Sequence, residues 1–368
     1  MKTHKNLYKK LCSWENIVLA YKKARKGKTK KPCVLKFEEN LHKNLKQLQN
    51  ELLNKTYQPE PLKKSLIKDP KTRVIHKSIF KDRIVHHIIV NILEPIFEPI
   101  FIYDSYASRK GKGQHRAIKR FNQFKRKASK NGKKLKGIKD KNYVSGYALK
   151  IDIKHYFENI DHDILLNIIQ EKVDDKDIIS LIYKILKNYR QKGMPLGNYT
   201  SQFFANVYLN KLDYFSKYKL KTENYIRYVD DIIILHNNKR VIEWFNAEIS
   251  KYLTILKLEI HKDKSRIISL HKGIPFLGFR IFYHYNLLNK KKIKQIYGNL
   301  KNWEDSYASM KITKEQILMK LRGWVAHTQH SHTHNLTASL NEEISKIFPK
   351  EDTSITTIFK IQAPHSIL

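Results

Sequence analysis

Apolar positions along the chain recur with two distinct periods, and each period predicts a kind of element. Ile84, Ile88 and Ile92 lie four apart, flanked by Val85 and Ile89, which predicts a helix over 82–97 that Pro95 helps to end. Leu41, Leu45, Leu48 and Leu52 repeat at three and four and predict another over 37–53. Between them, 65–77 reads as a hairpin turning at Asp69-Pro70. Further on the period falls to two: Leu149, Ile151 and Ile153 alternate with Lys150, Asp152 and Lys154, as in a strand with one face in the core. Phe204, Tyr208 and Leu212 share a helical stripe starting near Ser201, followed by strands at 225–228 and 232–235, a helix over 240–256, and strands near 265–270 and 275–282. From Asn289 onward the pattern is helical and basic. In 124–142 no apolar period survives among nine Lys/Arg, one acid and two glycines, which predicts a flexible insertion. The expected class is mixed α/β (α+β).

Charge sharpens the picture. The 368 residues carry 72 Lys+Arg against 34 Asp+Glu, a formal charge of +38. With 41% hydrophobic residues the chain is no disordered basic tail, and a surface this basic points to a polyanion, nucleic acid first. The segment 21–32 alone holds seven Lys/Arg in twelve residues. Cys12 and Cys33 have no metal-ligand spacing and read as reduced thiols. No apolar leader and no run of about 18 apolar residues occurs, so neither signal peptide nor membrane span is expected, and a cytoplasmic setting is.

The candidate chemistry lies in two carboxylate sites on apolar strands. Asp152 sits mid-strand, facing away from its core-directed neighbours. Asp230 and Asp231 fall between Tyr228-Val229 and the run 232–235, at a tight turn. Adjacent carboxylates repel, so their pairing suits neutralisation by a cation. Two divalent ions about 3.5–4 Å apart serve in-line phosphoryl transfer, and oxygen-only ligands favour Mg²⁺ over zinc. Taken alone, the Asp pair reads equally well as a turn dipeptide.

Tyr228 to Asp231, preceded by 152–162 (DIKHYFENIDH), resembles reverse transcriptases, specifically the group II intron-like bacterial branch. The resemblance runs on through Arg73, Asp82-Arg83 and 93–97 (LEPIF), 105–113 (SYASRKGKG), 262–265 (KDKS) and 276–279 (FLGF), six ordered motifs over roughly 65–280. It implies a right-hand polymerase: a basic helical N-terminal segment (1–60), fingers (61–145) with the basic insertion at 124–142, a palm of antiparallel sheet plus helices (146–282), and a helical thumb with a C-terminal tail (283–368). By the family pattern Asp152, Asp230 and Asp231 hold two Mg²⁺ ions, with Mn²⁺ as a substitute. Lys68 and Arg73 grip the incoming dNTP triphosphate. Phe157 stands at the steric gate that rejects a ribose 2′-hydroxyl, with a core aromatic as the plainer reading. Lys264 matches the lysine proposed to protonate pyrophosphate, the alternative being one surface lysine among many.

The stretch 194–209 (MPLGNYTSQFFANVYL) departs from the intron-type pattern of Gln-Gly followed by Ser-Pro. Here Leu196 precedes Gly197 and Gln202 follows Ser201. That version resembles the reverse transcriptases of diversity-generating retroelements, as do 5–8 (KNLY), 12–16 (CSWEN) and Gly323-Trp324 with His327 and His330. In that group Leu196, Gly197 and Gln202 line the dNTP site, and an aliphatic group in place of an amide implies low-fidelity copying; simple packing beneath the following helix is the alternative for Leu196. The resemblance implies template RNA, an RNA–DNA duplex and dNTPs as partners, with a small basic accessory protein or a structured non-coding RNA, and no membrane. No maturase, endonuclease or RNase H domain is expected after the thumb-like part, since about 80 residues follow Phe282. Retron-like or phage-defence enzymes and a catalytically idle RNA-binding scaffold are the rival readings. His327, His330, His332 and His334 are read as surface or template contacts rather than zinc ligands.

Overall fold

The structure is a computed structural model describing residues 3–67, 72–135, 143–328, 331 and 334–348. The chain divides into two compact units: 1–117, 149–234 and 240–266 form the first; 118–148, 235–239 and 267–368 form the second.

The first unit is organised around the helix Phe80–Phe97, which packs on Trp14–Arg25 and Tyr199–Tyr214. The four-residue stripe is its cause: Ile84, Val85, Ile88 and Ile89 are all fully buried. Pro95 does not end this helix. Three residues on, the Glu98 N–H still closes on the Glu94 carbonyl, so the missing proline N–H is tolerated within the last turn. The leucine stripe likewise forms Leu41–Leu53, burying Leu45, Leu48 and Leu52. Trp14–Arg25 starts from Ser13, whose Oγ accepts from the Asn16 N–H at 3.3 Å.

The expected hairpin forms from Lys63–Ile67 and Arg73–Lys77, antiparallel, with Ile67 opposite Arg73. Its turn, including Lys68, lies outside the described residues. A four-stranded sheet runs in the order Tyr225–Tyr228, Asp231–His236, Tyr147–Asp152, Arg266–Ser269. Ile226, Ile232, Ile233, Ile234 and Ile151 are fully buried, so the alternating pattern of 149–153 and the apolar run after Asp231 become the sheet core.

In the second unit a three-stranded sheet (Ile274–Phe276, Phe279–Ile281, Asn286–Leu288) turns at Leu277-Gly278. The helices Lys290–Ala308, Lys314–Thr328 and His334–Ile347 share a small core of Ile296, Leu300, Ile317, Leu321 and Val325 with Leu340 and Ile344. The flexible insertion expected over 124–142 is corrected in its first part. The helix Gln114–Ala128 continues through it, and Phe124, Lys125 and Ala128 are at most 5% exposed. Lys125 gives the reason. Its alkyl stem is buried while its ammonium donates to the Phe282 carbonyl at 2.6 Å, so a basic residue serves as core. Burial pulls that amine down to about 8. Residues 136–142 lie outside the described ones, as do His330 and His332. His327 packs its ring 5.1 Å from that of Phe279 and meets the Lys292 ammonium.

Candidate active site

All three aspartates singled out by sequence belong to the first unit. Asp152 ends its strand, and the chain fixes it from both sides. Its N–H donates to Ser265 Oγ at 3.0 Å and its carbonyl accepts from the His261 N–H at 2.8 Å. That clamp explains why 262–265 forms a motif with Asp152 although 113 residues separate Asp152 from Ser265.

The Asp pair sits at the hairpin, with one refinement. Tyr228 pairs with Asp231, so the turn proper is Val229-Asp230 and Asp231 is the first residue of the next strand. Val229 has φ +56°, a conformation that a β-branched residue adopts only under constraint. Positive φ at the first central position matches the twist of two-residue hairpins. The constraint is Arg227, whose Nη1 donates to the Val229 carbonyl at 3.1 Å. Arg227 is itself fully buried: Nε and Nη2 each reach Asp213 at 2.7 Å, and Nη1 also meets Asn206 Oδ1 at 3.1 Å. Tyr225 donates its hydroxyl to the same carboxylate at 2.7 Å. The Arg227 main chain is held as well, accepting from the Tyr106 N–H and donating to the Asp104 carbonyl, both at 3.0 Å. The 105–113 motif is therefore stitched to the strand that carries the aspartates.

Sequence reasoning passed over Arg227, Asp213 and Asn206. The available signal was an arginine inside an otherwise apolar strand, which must find a buried acid. It also passed over Lys150, which shares the strand face of Asp152 by simple alternation. Lys150 Nζ lies 3.2 Å from Asp231 Oδ2, and Lys264 Nζ lies 3.1 Å from Asp152 Oδ1. Burial pushes Asp231 up to about 6, opposed by Lys150 and reinforced by the neighbouring aspartates. Asp230 is raised too, first by burial and then by Asp152, with Arg73 and Lys264 acting the other way. Arg73, at the start of its hairpin strand, is thus within electrostatic reach of the carboxylates.

The other candidates surround a second junction. The Leu196 carbonyl accepts from the His76 N–H at 3.3 Å, which lays 196–197 along the hairpin. Gly197 has φ +109°, and a Cβ there would stand 2.6 Å from Ile75 Cγ2, so this approach requires glycine. The segment is anchored by a buried polar chain: Ser78 Oγ meets Asn198 Oδ1 and His86 Nε2, each at 2.9 Å, and His86 Nδ1 meets Thr200 Oγ1 at 2.9 Å. Burial pulls His86 down to about 3, so it is neutral in this chain at physiological pH. Phe157, half-buried on Tyr156–Asn159, accepts from the Met194 N–H through its carbonyl at 2.7 Å. The steric-gate candidate and the Leu196 segment are therefore main-chain neighbours. Gln202 is exposed, with Ser108 Oγ 3.4 Å from its Oε1. Lys68 lies outside the described residues.

Among the described residues no group of three or more His, Cys, Asp or Glu side chains is closed around a common metal point. The donor set nonetheless fits a hard cation. Asp231 Oδ1 is buried without a hydrogen-bond partner, Asp152 disfavours the charge on both Asp230 and Asp231, and one ammonium group meets Asp231 and another Asp152.

The chain is 29% identical over 242 residues to the group II intron-encoded protein LtrA of Lactococcus lactis subsp. cremoris, covering 61% of this chain and 38% of that protein. It is 26% identical over 279 residues to protein YkfC of Escherichia coli (strain K12), covering 64% and 70%. It thus spans well under half the length of the intron-encoded relative. Among solved structures, apo telomerase from Candida tropicalis, truncated from its C-terminal domain, aligns at TM-score 0.44 and 16% identity over 65% of this chain and 59% of that one. The model of the reverse transcriptase (RNA-dependent DNA polymerase) family matches residues 62–281, a stretch that holds Arg73, Phe157 and the three aspartates, and the chain belongs to that family.

Proposed function

We propose that the chain is an RNA-directed DNA polymerase that copies a dedicated RNA template into cDNA, at low fidelity, as part of a diversity-generating retroelement. The observation that carries the polymerase reading is the strained hairpin bearing Asp230 and Asp231, with Asp152 near enough to disfavour the charge on both and an unsatisfied carboxylate oxygen on Asp231. Asp152, Asp230 and Asp231 would hold two Mg²⁺ ions, which when bound acidify a 3′-hydroxyl and neutralise a leaving pyrophosphate. Arg73 brings a guanidinium towards the triphosphate side. Lys264, already against Asp152 and 47% exposed, carries a proton where pyrophosphate leaves. The ring of Phe157 excludes a ribose 2′-hydroxyl. Primer extension on an RNA template with dNTPs and Mg²⁺ tests this reading. Extension is expected with dNTPs, far less with NTPs, and none after chelation; no extension under any of these conditions would refute it.

The low-fidelity part rests on Leu196. Its side chain is half-buried on a segment pinned to the hairpin, where an amide would offer a polar check on the nascent pair and an aliphatic group offers none. Leu196→Gln is expected to lower misincorporation several-fold on one RNA template, measured by sequencing the cDNA. Equal error rates would remove the basis for the diversity-generating reading and leave the polymerase reading intact.

A further inference from the structure

Away from the aspartates, the first unit holds a cavity of about 440 Å³ beside the C-terminal end of the helix Tyr199–Tyr214. Asn210 lies eight residues beyond Gln202, about 12 Å along that helix. The volume is in the range of small-ligand clefts, roughly 300–1,000 Å³. Three observations bear on its occupant.

First, its walls are aromatic. Phe215 and Tyr252 stack at 4.2 Å between centroids with planes 10° apart, while Tyr214 and Tyr218 stand 5.0 Å apart at the mouth. Tyr218 is 64% exposed, a large ring with little to cover it. Second, the wall is not regular helix: Phe215–Lys219 is a π-turn, an element that recurs at functional sites because it splays side chains from the α-helical register. Third, the lining carries three lysines and one acid: Lys211 pairs with Glu171 at 2.6 Å, which leaves Lys172 and Lys219 to set the sign of the cavity.

These features select one chemistry. An apolar side chain of a protein partner would fill the aromatic walls but leave the positive charge of Lys172 and Lys219 unanswered. A nucleobase offers a flat face to the rings, and its phosphates suit the lysines at the cavity, Lys172 and Lys219. We propose that this cavity takes an unstacked nucleobase from a single-stranded stretch of the RNA, outside the duplex at the aspartates. The proposal rests on reading the chain as an RNA-templated polymerase, and its test separates the two.

The test uses the full chain and single-stranded RNA carrying 4-thiouridine, cross-linked by light and mapped by mass spectrometry, beside anisotropy titrations with the same RNA and an abasic version. Cross-links at Tyr214 or Tyr218 are expected, with weaker binding of the abasic strand. Tyr218→Ala should lose about ten-fold in affinity for the base-bearing strand, and Tyr218→Trp should keep it. Extension of a short primer–template without single-stranded flanks should be unchanged in Tyr218→Ala. Equal affinity for abasic and base-bearing RNA, cross-links confined to other segments, or competition by an apolar peptide but not by RNA would overturn the proposal. Absence of extension in the unmodified chain, with base-dependent binding intact, would instead count against the polymerase reading alone.

Discussion

Asp230→Asn should lower primer extension by at least about 10³-fold, because losing a charged metal ligand removes several kcal/mol of transition-state stabilisation. The change is nearly isosteric and leaves the turn geometry in place. Burial and Asp152 both disfavour the Asp230 charge, so the neutral amide should not destabilise the fold. Two measurements then separate chemistry from folding. Thermal melting of the variant without divalent ions should match or exceed that of the unmodified chain. Added Mg²⁺ should raise the melting temperature of the unmodified chain through binding to the native state, and do so much less in the variant. An Asp230→Asn protein that still extends primers at the original rate would rule out the assignment. A Mg²⁺-dependent shift identical in both proteins would place the ion elsewhere.

Breaking the Arg227–Asp213 pair should have the largest effect on stability. Both side chains are wholly inaccessible to solvent, joined by two bonds of 2.7 Å, and Asp213 also accepts from Tyr225. Arg227→Met strands a buried carboxylate, Asp213→Asn a buried guanidinium, and each should cost about 3–5 kcal/mol. At roughly 2–4 °C per kcal/mol for a domain of this size, the melting temperature should fall by about 6–20 °C. Combining Arg227→Met with Asp213→Leu should recover much of that loss, since no charge is then left unpaired. The double variant should nevertheless extend primers poorly, because Val229 loses the donor that holds its carbonyl. A double variant both stable and fully active would show that the hairpin needs no such support.

The sequence carried most of the element plan and the aspartates, for physical reasons that also explain its misses. Periods of four and two are direct consequences of burying one face, so Ile84 to Ile92 and Leu149 to Ile153 announced themselves. Asp152 and the Asp pair stood out because charge on an apolar strand is expensive. Lys150 and Arg227 obey the same logic, yet they sit in a chain so rich in Lys and Arg that a structural cation looks like any other. Lys125 shows the opposite failure: its charge suggested solvent, while its stem belongs to the core. The buried tie from Ser78 through His86 to Thr200 joins residues with no shared pattern, and only the folded backbone brings them together.

The clamp on Asp152 has a consequence for the life of the nascent chain. Its partner Ser265 leaves the ribosome 113 residues later, which at 5–20 residues per second is roughly 6–23 seconds. Ser78 waits longer still for Asn198, 120 residues downstream. During that interval the basic N-terminal helices have emerged and the clamp on Asp152 has not formed. On the proposed reading, the N-terminal helices can therefore hold RNA before the residues that clamp Asp152 exist, and assembly of the complex becomes a matter of timing during translation.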